Sequence, residues 1–368
     1  MHVGNLRTAL YAFLLARSQN GKFILRIEDT DQARYVEGAV DVIYKTLESA
    51  GITHDEGPDV GGDFGPYIQS ERKKLYLPYA EELVKKGAAY YCFCDKQEAA
   101  DPAPEGDPAV SGYDGRCPNL DPETVAANLA AGKPYVIRQK IDKDGVSTYH
   151  DAVYGEITIE NKVLDDQILI KRDGMPTYNF ANVIDDHTMG ITHVVRGCEY
   201  LSSTPKYNLL YRAFGWEIPE YVHLPLIMGR DAEGNVSKLS KRHGSVSFEG
   251  LVAEGYLPAA VINYIALLGW SPKNDREIFS LAELEQIFNV NGLNKSAAVF
   301  DYDKLTWMNG EYIKALSPEA FAALAFPFSK LAGTALEEKW PLIAPLLQQR
   351  VEKLTDIPEK IGFLSEQP

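Results

Sequence analysis

The sequence has few cysteines and no long apolar run, and both absences narrow the class of protein. Four cysteines in 368 residues are too few for the disulfide framework that holds small secreted domains together. No apolar stretch approaches the roughly 20 residues that a helix needs to cross a bilayer, and no secretory signal peptide opens the chain. We therefore expect a cytoplasmic protein that does not enter the membrane.

Positive charge is also scarce. The 37 Lys and Arg residues face 52 Asp and Glu residues, which leaves a formal net charge of -15. A protein that binds nucleic acid without selectivity normally presents a basic face, so this balance argues against such a binder. An RNA partner would have to meet local basic pairs, although each of these is equally typical of a solvated helix or hairpin: Lys73 and Lys74, Lys85 and Lys86, Lys171 and Arg172.

The chain is long enough for two or three domains, and its 45% of hydrophobic residues is ordinary for a globular protein. It contains no internal repeat and no low-complexity tract. Beyond residue 250, apolar residues recur at intervals of three and four, which predicts helices.

Basic residues are concentrated in residues 237–244, with the sequence SKLSKRHG. This segment follows a turn-like stretch at 231–235, so we predict a mobile loop rather than a strand or a core helix. Two lysines on such a loop, Lys238 and Lys241, suit a polyphosphate, because they stabilise the charge that develops as pyrophosphate leaves. The alternative is a solvated basic turn.

A second motif lies near the first residue. His2 and Gly4 precede an apolar run at residues 9–16, which predicts a helix. Glycine at the mouth of a helix lets a ligand approach the backbone, the first turn has free N–H groups, and His2 can donate to a phosphate. On its own, a histidine two residues before a glycine is a weak signal.

Three further features predict contacts with a charged small molecule. Residues 22–27 are typical of a buried strand, and acidic residues at 28–31 follow at its carboxyl end, where open α/β sheets bind ligands; a turn with capping carboxylates is the alternative. Tyr178 and Asn182 are four residues apart and share one face if helical; a buried tyrosine with a capping asparagine is the alternative. Residues 193–196 predict a strand that ends in Arg196, whose guanidinium matches a carboxylate by two hydrogen bonds.

The two motifs, in this order, resemble the HIGH and KMSKS signatures of class I aminoacyl-tRNA synthetases. Asn5 stands where many of these enzymes have a second histidine, and an amide can still donate to ATP. The resemblance narrows to bacterial glutamyl-tRNA synthetases and covers nearly the whole chain. It is carried by the segments RIEDTD (26–31), YDGRC (113–117), PTYNFAN (176–182), DDH (185–187), RG (196–197) and FD (300–301).

The resemblance implies an α/β fold: a Rossmann-type class I catalytic domain with an inserted α+β domain that binds the tRNA acceptor end, followed by an all-helical C-terminal region. The implied boundaries are 1–88 and 176–250 for the two catalytic halves, 89–175 for the insertion and 251–368 for the helical region. The implied activity is ATP-dependent ligation of L-glutamate to the 3' end of tRNA(Glu) through a glutamyl-adenylate. ATP, Mg²⁺, glutamate and tRNA(Glu) are the expected ligands of a monomer.

The resemblance also assigns residues by role. Catalysis falls to His2, Lys238 and Lys241. ATP binding adds Gly4, Asn5, Glu199 and Ser240 to these three. The substrate glutamate would be held by Glu28, Tyr178, Asn182 and Arg196.

Three of the cysteines are candidates for a metal site. Cys92, Cys94 and Cys117 can bind zinc, since thiolates favour tetrahedral Zn²⁺. The C-x-C spacing differs from the common C-x-x-C, and Tyr113 or water would supply the fourth ligand. Buried or free thiols are the alternative.

A parallel nucleotide-binding sheet needs a strand before its first helix, and here only Met1 precedes His2. We therefore expect a chain shortened at its N-terminal end, with an incomplete site. The resemblance implies relatives that continue well past Pro368, so we expect the C-terminal end to be shortened too. Four other functions stay open: a glutamyl-Q tRNA(Asp) synthetase-like enzyme that modifies a tRNA base, a glutaminyl-tRNA synthetase, a nucleotidyltransferase of the same superfamily, and an inactive tRNA-binding fragment.

Overall fold

The computed structural model describes residues 1–31, 36–94, 113, 115–231 and 233–364. The chain divides into two compact units. Unit 1 comprises Met1–Gly21, Gly38–Thr53 and Leu224–Pro368, and unit 2 comprises Lys22–Glu37 and His54–His223. Each unit is assembled from segments that are distant in sequence. The four-part domain division predicted from the sequence stays a prediction.

The α-helices among the described residues are α1 (Val3–Ser18), α2 (Ala39–Ser49), α3 (Lys73–Lys85), α4 (Pro122–Ala130), α5 (Tyr178–Thr188), α6 (Thr204–Phe214), α7 (Phe248–Ala253), α8 (Pro258–Ala266), α9 (Leu281–Ile287), α10 (Tyr302–Ala315), α11 (Pro318–Ser329), α12 (Trp340–Leu347) and α13 (Ile357–Ile361). Within this described part of the chain, no helix is both long enough and apolar enough to cross a bilayer.

The described strands form three small sheets. They are β1 (Ala89–Cys92), β2 (Val136–Gln139), β3 (Val146–Asp151), β4 (Gly155–Glu160), β5 (Ile168–Ile170), β6 (His193–Gly197), β7 (Glu220–Leu224), β8 (Ile227–Arg230), β9 (Val236–Lys238) and β10 (Ala298–Val299). The orders are β1-β2-β5, β4-β3-β7-β6 and β10-β8-β9. β3 pairs antiparallel with β4 and parallel with β7, where Asp151 lies opposite Tyr221.

In unit 1, α1 is held by its buried face and by two polar side chains. Leu6, Leu10 and Leu14 are fully buried, and their spacing of four residues is that of one helical face. The guanidinium of Arg7 donates to the carbonyl oxygens of Leu268, at 3.0 Å, and Pro225. The hydroxyl of Tyr11 also donates to the Leu268 oxygen, at 2.9 Å. These contacts fix the start of α1 relative to residues 225–268.

The C-terminal part of unit 1 has a core of its own, formed by helices α8 and α10–α13. Phe321, Ala325, Ala344 and Ile357 are fully buried within it. The predicted helical character beyond residue 250 is confirmed, except for the two-residue strand β10, which pairs in parallel with β8.

In unit 2, helices α3, α5 and α6 pack around one core with strands β2 and β5. Its fully buried members include Leu83, Ile137, Phe180 and Leu210. One charged pair lies beside this core: the Nε of Arg72 donates to the Asp185 carboxylate at 2.7 Å, and the side chains are 3% and 0% exposed. Asp185 also accepts from Gln69 and Tyr76, both at 2.9 Å. The carboxylate is therefore fully satisfied.

The predicted strand over residues 22–27 is wrong in detail. Residues 22–27 form only isolated parallel bridges, Ile24 with Glu56 and Ile27 with Ile68. Because the two partners lie in different segments, no continuous ladder forms. Strands β7 and β8 are likewise separate, since Pro225 between them has no N–H group to continue the ladder.

The Asp185 network leads to a stability prediction. Replacing Asp185 with Ala leaves the Arg72 guanidinium buried without its carboxylate, which should lower the free energy of unfolding by about 3–5 kcal/mol. Equilibrium urea unfolding measures the change. The control is Glu82→Ala, which removes an exposed pair with Lys86 and should change stability by at most about 0.5 kcal/mol. A loss of similar size in both variants would contradict the assignment.

Candidate functional site

The predicted site residues fall into two groups, one in each unit. Unit 1 contains the residues assigned to phosphate chemistry: His2, Gly4, Asn5, Lys238, Ser240 and Lys241. Unit 2 contains the residues assigned to glutamate, together with Glu199 and the three-cysteine cluster: Glu28, Tyr178, Asn182, Arg196, Tyr113, Cys92, Cys94 and Cys117.

His2 caps the first helix of unit 1. Its Nδ1 accepts a hydrogen bond from the Gly4 N–H at 3.0 Å, which places the proton of the neutral ring on Nε2. Burial lowers the pKa of His2, the nearby Lys238 and the terminal amine lower it further, and a hydrogen bond with the Leu239 backbone opposes them. The ring is therefore a neutral N–H donor near neutral pH.

Backbone pairing ties this turn to the residues that follow the basic segment. The Val3 N–H donates to the Val246 oxygen at 2.8 Å, and the Phe248 N–H donates to the Met1 oxygen at 2.9 Å. His2 itself forms an antiparallel bridge with Ser247. The two sequence motifs are thus neighbours in the structure, although more than 200 residues separate them.

Part of the basic segment forms regular structure, so the prediction of a loop rather than a strand is wrong for Ser237 and Lys238. Strand β9 pairs antiparallel with β8, with Lys238 opposite Met228, and Lys241–His243 form a 3-10 turn. Leu239 is buried, and its N–H donates to the Ile227 oxygen at 3.0 Å. An apolar side chain within the basic run therefore fixes its backbone.

The charged side chains of this segment remain available. Lys238, Lys241 and Arg242 are exposed. Arg242 donates to the Ser237 hydroxyl at 2.6 Å. Within the described ranges, none of these three cations is paired with a carboxylate. The segment therefore presents concentrated, unneutralised positive charge.

The buried side chain of His243 holds the backbone of this segment in place, a role that the sequence did not predict. It is buried, its Nδ1 accepts from the Ser240 N–H at 3.0 Å, and its Nε2 lies 3.1 Å from the Ser237 hydroxyl. A methyl group at Gly229 would lie 2.6 Å from the His243 ring. Glycine is thus required on β8 for the ring to pack there.

In unit 2, Arg196 is surrounded by neutral groups. Its Nε donates to Nε2 of His223 at 3.1 Å, and its Nη2 donates to the Thr204 hydroxyl at 2.7 Å. The guanidinium carbon lies 4.8–5.2 Å from the ring centres of Tyr200, Tyr207 and Tyr221. In the part of the chain that is described, no carboxylate lies within ion-pairing distance and Nη1 has no hydrogen-bond partner.

A buried pair stands behind this arginine. His223 and Asp151 are both 0% exposed, and Nδ1 of His223 lies 2.6 Å from the Asp151 carboxylate. Burial lowers the pKa of His223, and Asp151 opposes this while Arg196 adds to it. Burial raises the pKa of Asp151, but hydrogen bonds from His223 and Tyr154 outweigh it and the pKa is lowered. The pair is therefore a neutral imidazole on a carboxylate.

Glu28 belongs to a cluster with net negative charge. The Arg26 guanidinium bridges Glu28, at 2.9 Å, and Asp186, at 2.8 Å. Removal from water raises the pKa of both carboxyl groups, and the positive charge of Arg26 lowers the pKa of each. Arg196 also lowers the pKa of Asp186, so this cluster and the free guanidinium lie close enough to interact. One guanidinium and two carboxylates leave one negative charge of the cluster unpaired, and an ammonium group would neutralise it.

Tyr178 and Asn182 lie at the start of α5, four residues apart, as predicted. Burial and the charge of Glu28 raise the pKa of Tyr178, while a hydrogen bond from Asn182 opposes them. Asn182 is 4% exposed, and its side-chain oxygen has no hydrogen-bond partner among the residues described. A buried acceptor without a donor is costly unless a ligand supplies one.

Glu199 is exposed and lies in a 3-10 turn immediately after β6. Its charge raises the pKa of His223, which places it near the Arg196 group of unit 2. Its assignment to ATP stays a prediction.

The sulfurs of Cys92, Cys94 and Cys117 lie within 4.8 Å of one another, and those of Cys94 and Cys117 are 3.4 Å apart. Sulfurs on a tetrahedral zinc are about 3.8 Å apart, given Zn–S bonds of about 2.3 Å, so this donor set fits the ion. Tyr113 lies beside it, with its hydroxyl accepting from the Cys117 N–H at 3.1 Å. Residues 95–112 and 114, between these ligands, lie outside the described part.

The electrostatics of the three thiols differ. Burial, together with the neighbouring Cys117 and Cys92, raises the pKa of Cys94 to about 12. Burial also acts on Cys92, but hydrogen bonds from the Cys94 backbone and from Arg138 outweigh it and lower the pKa. The two shifts have opposite signs, so Cys92 loses its proton more readily than Cys94.

Comparisons with known proteins identify the family of the chain. A family profile described as tRNA synthetases class I (E and Q), catalytic domain, matches residues 1–307. The glutamate–tRNA ligase of Clostridium novyi (strain NT) is 60% identical over 371 residues, covering 100% of this chain and 75% of that protein. That of Clostridium kluyveri is 56% identical with the same coverage.

Solved structures give the same result. A glutamate tRNA ligase from Elizabethkingia meningosepticum, crystallised in complex with its amino acid, matches with a TM-score of 0.89 at 37% identity. The match covers 100% of this chain and 78% of that one. The glutamate-tRNA synthetase of Elizabethkingia anophelis has a TM-score of 0.90 at 36% identity, with 79% of its chain covered.

Proposed function

The chain belongs to the class I tRNA synthetases for glutamate and glutamine, and we propose that it ligates L-glutamate to the 3' end of tRNA(Glu) through a glutamyl-adenylate. One observation carries the choice of amino acid: Arg196 is half-buried, enclosed by aromatic rings and without a carboxylate partner among the described residues. A cation in such surroundings favours an anionic ligand.

The proposed ligand has charges that complement unit 2. The side-chain carboxylate of glutamate would pair with Arg196, and its ammonium group would meet the net negative cluster through Glu28. Tyr178 and Asn182 would complete the site, with the unpartnered oxygen of Asn182 accepting a donor from the ligand. The crystal structure of the related Elizabethkingia meningosepticum ligase is in complex with its amino acid, which supports an amino-acid site in this chain.

Arg196 also accounts for the discrimination against glutamine. Glutamine has a neutral amide where glutamate has a carboxylate, so it would leave the guanidinium without a counter-charge. Sites that leave a buried polar or charged group unpaired with the wrong substrate discriminate steeply.

The proposed chemistry begins with attack of the glutamate α-carboxylate on the α-phosphorus of ATP, which enters as its magnesium complex. Pyrophosphate leaves, and the adenylate then transfers the glutamyl group to the terminal ribose of the tRNA. The substrate supplies the nucleophile, so catalysis consists of positioning and charge stabilisation. His2 donates through Nε2–H, while Lys238 and Lys241 stabilise the developing phosphate charge.

The remaining assignments follow the family. Gly4, Asn5, Ser240 and Glu199 would contact ATP. Residues 89–175 would form the insertion that binds the tRNA acceptor end, between the catalytic halves 1–88 and 176–250, and 251–368 would form the helical region. We expect a cytoplasmic monomer that does not bind membranes; a reducing compartment fits the four free cysteines.

Alternatives based on the catalytic half alone fit less well. The Clostridium relatives match this chain over its full length, including the helices after residue 307. A base-modifying enzyme limited to the catalytic half, or a simple nucleotidyltransferase, would not need these helices. The exposed cations of residues 237–244 likewise favour an ATP-using enzyme over an inactive tRNA-binding fragment.

Cys92, Cys94 and Cys117 would hold a structural zinc ion, with Tyr113 or water as the fourth ligand. Bound zinc would supply a crosslink between Cys94 and Cys117, which are 23 residues apart in sequence. It would take no part in the reaction.

Zinc binding is tested by metal analysis of the purified chain. We expect about one zinc per chain, lost in Cys117→Ser and retained in Cys198→Ser, because Cys198 lies outside the cluster. Removal of the metal by a chelator should lower the melting temperature of the wild type and leave that of Cys117→Ser unchanged. A metal-free wild type would contradict the proposal.

The function is tested by charging of glutamate tRNA with labelled glutamate. We expect product with glutamate and not with glutamine, and none on tRNA whose 3'-terminal diol has been oxidised with periodate. Lys241→Ala should slow adenylate formation by about 10²-fold with little change in glutamate affinity, since one preorganised charge is lost from the transition state. Glutamate attached to tRNA(Asp) that lacks its 3'-terminal adenosine would instead indicate transfer to a base.

The role of Arg196 is tested by Arg196→Gln. Loss of a charge-assisted pair should weaken glutamate affinity by about 10²-fold and change the KM for ATP by no more than about twofold. Steady-state kinetics with each substrate varied measures both. Arg212→Gln is the matched control, because Arg212 is an exposed arginine on α6. Equal losses for glutamate and ATP would contradict the assignment.

A further inference from the structure

We propose that His223, held by Asp151, is a positioning residue that orients the Arg196 guanidinium and thereby sets the selectivity for glutamate over glutamine. The inference rests on the proposed function and names two residues to which neither the sequence motifs nor the comparisons assign a role. His223 contacts the guanidinium and Asp151 contacts His223, so both act on the substrate through Arg196.

The Asp151 carboxylate is fixed on both of its oxygens. Oδ1 accepts from the N–H groups of Val153, at 2.9 Å, and Tyr154, at 2.8 Å. Oδ2 accepts from the His223 backbone N–H at 3.1 Å and lies 2.6 Å from Nδ1 of the same residue. Because Oδ2 can only accept, the Nδ1 atom of His223 carries the proton.

This tautomer determines what His223 offers to Arg196. With the proton on Nδ1, Nε2 has a free lone pair and accepts from Nε of Arg196 at 3.1 Å. Thr204 accepts from Nη2 at 2.7 Å. The guanidinium is thus held by two of its nitrogens, which leaves Nη1 and its second Nη2 hydrogen to a ligand.

The chemistry of the acceptor matters as much as its position. A carboxylate in place of His223 would hold the guanidinium equally well but would neutralise it, and a ligand carboxylate would then gain little over an amide. The neutral imidazole orients the Arg196 guanidinium and leaves the positive charge of the guanidinium unpaired. Asp151, one residue further away, fixes the imidazole and contacts the guanidinium only through it.

Full burial protects the hydrogen bonds of the His223–Asp151 pair from water. Both side chains are 0% exposed, so water does not compete for Nε2 or for the carboxylate. The Tyr221 ring lies beside His223, with centres 5.8 Å apart and planes at 25°. A rotation of the imidazole would break the contact with Asp151 and the contact with Arg196 together.

The test uses three variants of the full chain. His223→Leu removes the acceptor, His223→Gln places an amide oxygen near the position of Nε2, and Asp151→Asn can donate to Nδ1 and so favours the tautomer with the proton on Nε2, which cannot accept from Arg196. The control is His193→Gln, because His193 lies half-exposed on the same sheet as His223, outside the proposed glutamate site.

The measurements are the dissociation constant for glutamate by calorimetry, kcat at saturating glutamate, and the ratio of kcat/KM for glutamate to that for glutamine. In His223→Leu and Asp151→Asn we expect affinity and selectivity to fall roughly tenfold to a hundredfold, the range for a lost hydrogen bond to a charged group. The kcat at saturation should stay within about twofold. His223→Gln should recover most of the affinity, and His193→Gln should match the wild type.

Two results would overturn the inference while leaving the proposed function intact. One is wild-type affinity and selectivity in His223→Leu and Asp151→Asn. The other is an equal fall of kcat, affinity and melting temperature in all three variants, including His223→Gln, which would assign a merely structural role. A wild-type chain that does not bind glutamate would overturn the proposed function itself, and the inference with it.

Discussion

The arrangement of unit 2 depends on one constraint: the Arg196 guanidinium is kept partly out of water, and no carboxylate among the described residues lies close enough to neutralise it. Desolvating a cation is costly, and the protein offsets the cost with neutral partners. Aromatic rings surround Arg196 at 4.8–5.2 Å and stabilise positive charge through their electron-rich faces. A hydroxyl and an imidazole accept its hydrogen bonds. The residual positive charge is what an anionic ligand would meet.

The unpaired positive charge of Arg196 is complemented by the second charged group of unit 2, which has excess negative charge. Arg26 is shared between Glu28 and Asp186, so that cluster has excess negative charge, and burial raises the pKa of both carboxyl groups. A ligand with an ammonium group at one end and a carboxylate at the other relieves both imbalances at once. A ligand with either charge alone relieves only one. The selectivity of the site therefore depends more on its charges than on its shape.

The sequence revealed those parts of the site that have a local pattern. Tyr178 and Asn182 could be predicted because they lie four apart on α5, and Arg196 because it lies near the end of a short apolar strand. Asp151 and His223 have no such pattern, since 72 residues separate them. The parallel register of β3 with β7, in which Asp151 lies opposite Tyr221, brings them together, and no local periodicity encodes that register.

The helices and strands were likewise predictable from the sequence only where local signals determine them. Helix α1, at Val3–Ser18, was predicted from its own residues, because the apolar run at residues 9–16 is a local signal. The strand predicted over 22–27 was wrong, because strand formation depends on a partner, and there the partner changes from Glu56 to Ile68 within four residues. Similarly, the order within residues 237–244 comes from β8 and from a ring beneath Gly229 rather than from the basic run itself.

Both units separate the residues that hold position from those that carry charge. In unit 1, buried Leu239 and His243 fix the backbone through apolar packing and neutral hydrogen bonds, and Lys238 and Lys241 stay exposed. In unit 2, His223 fixes Arg196 without neutralising it. Holding any of these cations with a carboxylate would have been equally rigid, but an anionic substrate would then have had to displace that carboxylate. An imidazole imposes no such competition, and for this reason a buried histidine lies behind the cationic groups of each unit.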